Sequence, residues 1–364
     1  MENPRASGHR RVPHPAARLL GILMAIGTTA AVAAAGCSAE RDAELQQLTK
    51  QTLAFYQRHF TDTQFVNLPK DGDTVGAMVA LELLLGYQPT ALDYECPPDL
   101  AETLRLVSVE RIARMMQYKL PCATLFQHGE QALAKRPKVC VITLSACDIA
   151  GNDRQATAFL ADLPTPWTSQ LRDEHLLDAD AQLRYILDHE AYHCLDSSLH
   201  GGMPRGYEDY WGEYWRTRNE MAADAFAVAM HIRRNGKADA FVTNLARLRG
   251  LALYGGDPQH FSYDAIQQVA RMAPEKLTAM TPREVVQLAH RIGVEQMPDY
   301  PTFLRFWAAA HRVMAEMKVE AASEGNQAAT PQAMAQADPK LVEEMTSLSR
   351  RLHHELLGDR PATP

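Results

Sequence analysis

The pentapeptide His189-Glu190-Ala191-Tyr192-His193 lies in a stretch whose pattern predicts one helix over 178–198. Residues four apart on a helix sit one above the other, so His189 and His193 can offer two imidazoles to a single point. Two imidazoles are half of a tetrahedral zinc shell. Glu190 falls on the flank of the same face, where its carboxylate can address a water on the metal without ligating the metal. Zinc lowers the pKa of such a water to roughly 7, and a neighbouring carboxylate can take its proton as the oxygen attacks. The spacing suits metal-assisted hydrolysis. The alternative is a solvated helix face that carries these residues by chance, and a third ligand separates the two.

A second pair supplies one. The run Arg218-Asn219-Glu220-Met221-Ala222-Ala223-Asp224-Ala225 places Glu220 and Asp224 at i and i+4 on another predicted helix. Glu220 can complete a His₂Glu set that leaves a fourth position open to water, the catalytic form of a zinc site. Asp224 can accept a hydrogen bond from a ligand imidazole and so fix its tautomer. Ala222, Ala223, Ala225 and Ala227 are small enough to let two helices approach closely.

In these two motifs the chain resembles the gluzincin class of zinc metallopeptidases, over about 178–230. The resemblance implies zinc ligands at His189, His193 and Glu220, a general base at Glu190, and Asp224 behind a ligand imidazole. It also implies one Zn²⁺ per chain and a protein or peptide substrate. The fold expected is α+β and mainly helical, zincin-like, with a small sheet before the active-site helix. Two related patterns do not fit. A metzincin places Gly and then His three and six residues after the second His, where this chain has Asp196 and Leu199, with His200 one step late. An aspzincin needs a G-T-x-D segment, and there is none. Asp188 and Asp196 depart from the uncharged surroundings usual in the class, and are read as supports for the imidazoles or as exposed residues.

Peptide hydrolysis also needs a donor for the developing oxyanion. The glycine-rich stretch 254–263 carries His260 and Tyr263, the two candidates for that role; ordinary surface-loop residues are the alternative. His231, His290 and His311 fall in helical contexts and are read as structural.

Helices are expected over 39–60, 74–86 and 99–119, the last bracketed by prolines. The run K-V-C-V-I-T-L-S at 138–145 is the clearest strand, apolar on both faces and so buried. The segment 163–167, rich in proline, is loop, and Gly201-Gly202-Met203-Pro204 ends the motif helix. Tyr207, Tyr210, Trp211, Tyr214 and Trp215 follow, either packing the connection or walling a cleft. Residues 320–339 lack large apolar side chains and read as a linker before a last helix over 339–357 and a polar tail.

The chain has 364 residues, room for a substantial core. Residues 1–36 read as a secretory signal: Arg5, Arg10, Arg11 and Arg18 precede an uncharged run over 19–35. Ala34-Ala35-Gly36-Cys37-Ser38 looks like a bacterial lipobox, which would make Cys37 the lipidated N-terminus; cleavage after an A-x-A site or an uncleaved anchor are the alternatives. The division expected is signal 1–36, catalytic domain 37–319, and linker, helix and tail 320–364. Without the signal, 33 Lys and Arg (37 less four) face 43 Asp and Glu (44 less one), a net of −10. Such a protein would hold a membrane through acyl chains rather than by charge. No segment reads as nucleic-acid-binding, and oligomeric state is not legible. The location expected is the cell envelope, lipid-anchored and facing the periplasm.

Five cysteines remain beyond Cys37. In an oxidising compartment pairs are plausible, with Cys140 and Cys147 close enough to bridge and Cys194 the odd one; five buried thiols are the alternative. The function expected is a zinc-dependent envelope peptidase. A hydrolase of cell-wall peptides, a zinc-holding scaffold lipoprotein without turnover, and a metal-free interaction protein stand beside it.

Overall fold

The computed structural model of the protein describes residues 37–69, 90–91, 121–127, 137–161, 170–200, 211–317 and 329–358. Expectations for the signal, the helices over 74–86 and 99–119, the loop 163–167 and the side chains of Tyr207, Tyr210 and Trp211 fall outside them. The architecture is mainly helical with one small sheet, an α+β arrangement. Among the described residues no helix is long and apolar enough to cross a membrane.

The chain opens with α1 (Ala39–His59), capped by Ser38, whose hydroxyl accepts from the Arg41 amide. Its buried face runs through Leu45, Leu48, Thr52, Leu53 and Tyr56. The sheet follows: β1 (Thr63–Pro69), β2 (Thr90–Ala91), β3 (Cys122–Gln127) and β4 (Lys138–Leu144), in spatial order β1-β4-β3-β2. β4 is the expected strand, parallel to β1 and antiparallel to β3, and Val139 to Leu144 are all buried. A strand paired on both sides and covered on both faces has to be apolar throughout, which is why its sequence does not alternate.

Two short helices, α2 (Ala146–Ala150) and α3 (Asp153–Ala161), lead to α4 (Ala179–His200), the motif helix. Sixteen of its side chains are buried, among them every residue from Tyr185 to Leu195. A helix buried on all sides has no solvent-facing stripe to tolerate charge, so its ionisable residues must find partners. Asp188 does, away from the two motif histidines: it accepts from Tyr56 of α1 and pairs with Arg234 of α5 (Trp211–Asn235). α4 packs against α5, β3 and α1.

The remaining helices are α6 (Ala240–Arg249), α7 (Tyr263–Ala270), α8 (Pro274–Ala279), α9 (Pro282–Gln296), α10 (Tyr300–Glu316), α11 (Pro331–Ala335) and α12 (Pro339–Leu357). α9 packs along α5, and a Cβ on its Gly293 would meet Arg218 O at 2.8 Å and Ala222 Cβ at 2.9 Å. The small Ala222 therefore accommodates α9, not only the motif helix that its sequence position suggested. α12 lies against α10 and sends Leu352, Leu356 and Leu357 into the main core. The packed body thus extends to Leu357.

Two disulfides differ from the sequence expectation. Cys140 of β4 bonds Cys194 of α4, so Cys194 is not the odd thiol. Cys147 bonds Cys37, and Cys122 is disulfide-bonded as well. A Cys140–Cys147 bridge would have looked local and easy, but Cys140 points into the layer between sheet and α4, where Cys194 meets it.

Candidate metal centre

α4 and α5 pack directly, and this brings the two sequence motifs together. His189 Nε2 lies 2.9 Å from Glu220 Oε2, and His193 Nε2 lies 3.8 Å from the same oxygen. All three side chains are buried. Glu190 is also buried, on the same helix between the two histidines.

A third imidazole reaches the same point. After α6 the chain makes a 3₁₀ turn, Ala252–Gly255, closed by Gly256 in the left-handed conformation at φ 78°. The Asp257 carboxylate then caps the amide of His260, the local turn that Asp favours. The outcome is that His260 Nε2 stands 3.0 Å from Glu220 Oε2, with His260 Nδ1 bonded to Asp257. One carboxylate oxygen is therefore faced by three imidazole nitrogens. It has too few lone pairs in its own plane to take three donors well. His189, His260 and Glu220 bring two imidazole nitrogens and one carboxylate oxygen close enough together to hold one cation, with His193 Nε2 at 3.8 Å from the same oxygen. Nitrogen and oxygen donors of this kind suit a borderline divalent ion such as zinc.

Behind these side chains stands a second carboxylate, wholly buried. Asp224 Oδ1 lies 2.8 Å from His189 Nδ1. The same carboxylate takes the hydroxyls of Tyr185 and Ser262 and a fork from Arg249, with Nε at 3.0 Å and Nη2 at 3.2 Å. Holding Nδ1–H on Asp224 leaves Nε2 of His189 as the electron-pair donor, the tautomer a metal needs. His260 is oriented by Asp257 in the same way. His193 has Asn219 instead, its amide 3.0 Å from Nδ1; whether that amide offers oxygen or nitrogen decides the tautomer of His193.

Charge follows geometry. Burial opposes the charged form of Asp224, but the Arg249 guanidinium and then His189 outweigh it and hold the carboxyl well below its usual range. Burial likewise opposes charge on Glu220, and His260 and His193 overcome it, so Glu220 is ionised at neutral pH. Burial would depress His260, yet the carboxylates of Asp257 and Glu220 raise it well above an ordinary histidine. His189 is raised for the same reason, by Asp224 and Glu220. A cation held through His189 would have to displace the proton on its Nε2, so binding there would exchange a proton for metal.

Among the sequence candidates, His189, His193, Glu220, Asp224 and His260 come together. Tyr263 does not join them: its ring packs beside Gly250 and Leu352 at the start of α7, and no hydrogen bond links it to the cluster. The loop brings His260 to Glu220 and leaves Tyr263 at the start of α7. Tyr214 packs against Tyr300 and Phe303, and Trp215 carries Arg218 over its ring. Sequence reasoning missed Tyr185, Arg249, Asp257 and Ser262. Tyr185 had a signal, being one turn before His189; Arg249 and Ser262 had none, since their roles depend on where α6 and α7 dock. His231 pairs with Asp239, and His311 is buried beside Trp307. His290 meets Asp196 and stacks on His200. Comparison with known proteins adds no relative: no family model matches the chain, and neither a curated protein nor a solved structure is significantly similar to it.

Proposed function

We propose that this chain is a zinc-dependent peptidase whose centre is the cluster around Glu220, of the gluzincin class its two motifs resemble. The observation that carries the reading is the convergence of His189, His193 and Glu220, from two separate helices, on one buried point. Zinc held there supplies Lewis acidity and a water of lowered pKa. Every other part belongs to the chain. His189, His193 and Glu220 hold the ion, and Asp224 with Arg249 keeps His189 in the donor tautomer. Glu190 takes the proton of the attacking water and passes it to the leaving amine, a role worth about 10²–10⁴-fold. His260, charged because of Asp257, donates to the oxyanion that develops on the scissile carbonyl. The Cys140–Cys194 and Cys37–Cys147 disulfides support export to an oxidising compartment. A lipid thioether on Cys37 would need the same sulfur as the Cys37–Cys147 bond, so the anchor and this disulfide are mutually exclusive.

His260 also favours a second reading. Its Nε2 is as close to Glu220 as His189 is, and four protein ligands make a closed, structural zinc site without turnover. Two variants separate the readings, each measured for bound zinc and for cleavage of an unfolded protein substrate. Glu190→Gln should keep zinc and lose activity by about 10²-fold or more. His260→Ala should also keep zinc while kcat falls. Loss of zinc in His260→Ala, with no hydrolysis by the wild type, would establish the closed site instead.

A further inference from the structure

A second group of metal-ligating atoms lies farther along α4, and the peptidase reading does not use it. Asp196 Oδ1 is 2.7 Å from His200 Nδ1 and 2.8 Å from His290 Nδ1, and it takes the Tyr192 hydroxyl at 3.1 Å. The imidazoles of His200 and His290 stack, with ring centroids 3.9 Å apart. As at Glu220, one carboxylate oxygen is faced by more donors than it can satisfy, two of them imidazole nitrogens. If both nitrogens carry protons, they and the Tyr192 hydroxyl put three donors on an oxygen with two in-plane lone pairs; if both present lone pairs they repel it. A cation between them removes the conflict, because all three atoms then donate electron pairs to it.

The geometry points to a second cation site formed by Asp196, His200 and His290, for a borderline divalent ion such as Zn²⁺. Two imidazoles and one carboxylate suit Zn²⁺, Ni²⁺ or Cu²⁺ and disfavour Mg²⁺ and Ca²⁺, which want oxygen. The site is reachable: the side chains of Asp196, His200 and His290 are 16%, 32% and 25% exposed. Tyr192 stands to Asp196 as an outer partner holding the ligand carboxylate.

The placement indicates what the ion does. His189, His193, Asp196 and His200 follow one stripe of α4 at steps of four, three and four residues. His200 is seven residues beyond His193, a rise of roughly 10 Å along the axis. Ions that share a hydrolytic step sit about 3.5–4 Å apart, so the second ion is not a partner in the chemistry of the first. It clasps the C-terminal end of α4 to α9, the helix that carries His290 and that itself packs along the Glu220 helix.

The inference is independent of the peptidase reading, and counting zinc separates them. The full chain is stripped with a chelator, loaded with Zn²⁺, desalted and assayed by mass spectrometry. Wild type should hold two zinc ions per chain. His200→Gln combined with His290→Gln should hold one, and His193→Ala should lose a different one and keep the Asp196 ion. A wild type holding one zinc, lost in His193→Ala and kept in the double variant, overturns the second site. One zinc lost only in the double variant would support this site and defeat the Glu220 centre. Because substitution could disturb folding, a second readout uses the thermal midpoint of His193→Ala. Added Zn²⁺ should raise that midpoint, and the rise should vanish when the two glutamines are added. No rise in His193→Ala overturns the proposal.

Discussion

Glu220 and Asp196 make the same kind of cluster under different conditions. Each is a carboxylate with one oxygen ringed by imidazoles, and each draws on α4 and one other helix. Around Glu220, the imidazoles of His189 and His260 are backed by carboxylates of their own, and Arg249 neutralises Asp224 in turn. Around Asp196, among the described residues, no carboxylate backs the histidines in this way, and the Tyr192 hydroxyl supports the carboxylate. Burial accounts for the difference. A charge removed from water needs a fixed partner for each lone pair and proton, whereas a half-exposed one borrows them from solvent. The buried cluster is consequently preorganised and the outer one adaptable, which suits chemistry at the first and clasping at the second.

The strongest way to break this comparison is to remove one carboxylate from each side. Asp224→Ala strands Arg249 and His189 in the interior and should cost about 3–5 kcal/mol of unfolding free energy. Asp196→Ala, whose partners reach water, should cost about 1 kcal/mol or less. Denaturant titration of the zinc-free variants checks both. Equal losses would show that burial does not distinguish the clusters.

A smaller effect tests what holds the shared helix. Cys194 lies between His193 and Asp196, and its disulfide ties α4 to β4. The bond closes a separation of 54 residues, so replacing Cys140 and Cys194 together by Ser should cost about 2–4 kcal/mol. A change in midpoint within error would mean that packing alone fixes α4.

A pH effect uses a histidine on which burial acts alone. His311 of α10 is buried next to Trp307, its Nε2 lacks a hydrogen-bond partner, and burial pushes its pKa down to about 4. In His189, equally buried, carboxylates reverse that direction. The unfolded chain binds a proton at His311 near pH 6.5 and the folded chain only near 4, so stability falls as pH drops through that window. His311→Gln should flatten the loss by about 1–2 kcal/mol at pH 4, read from unfolding curves across pH. An unchanged slope would show that His311 is protonated in the fold like the clustered histidines.

What the sequence determined by itself is local. The i, i+4 spacing of His189 with His193 and of Glu220 with Asp224 is a property of one helix each. Likewise, the unbroken apolar run at 138–144 says that β4 is buried before any partner strand is known. These patterns close within a turn or a few residues, so they survive in one dimension. The tertiary structure decided which atoms meet across the chain. It chose Cys194 rather than Cys147 for Cys140, brought His260 and not Tyr263 to Glu220, and set Arg249 and Ser262 on Asp224. It also joined His290 to Asp196 across 94 residues. None of these pairings has a spacing to read, because each is fixed by where one helix docks against another, and docking depends on the volumes of many side chains at once.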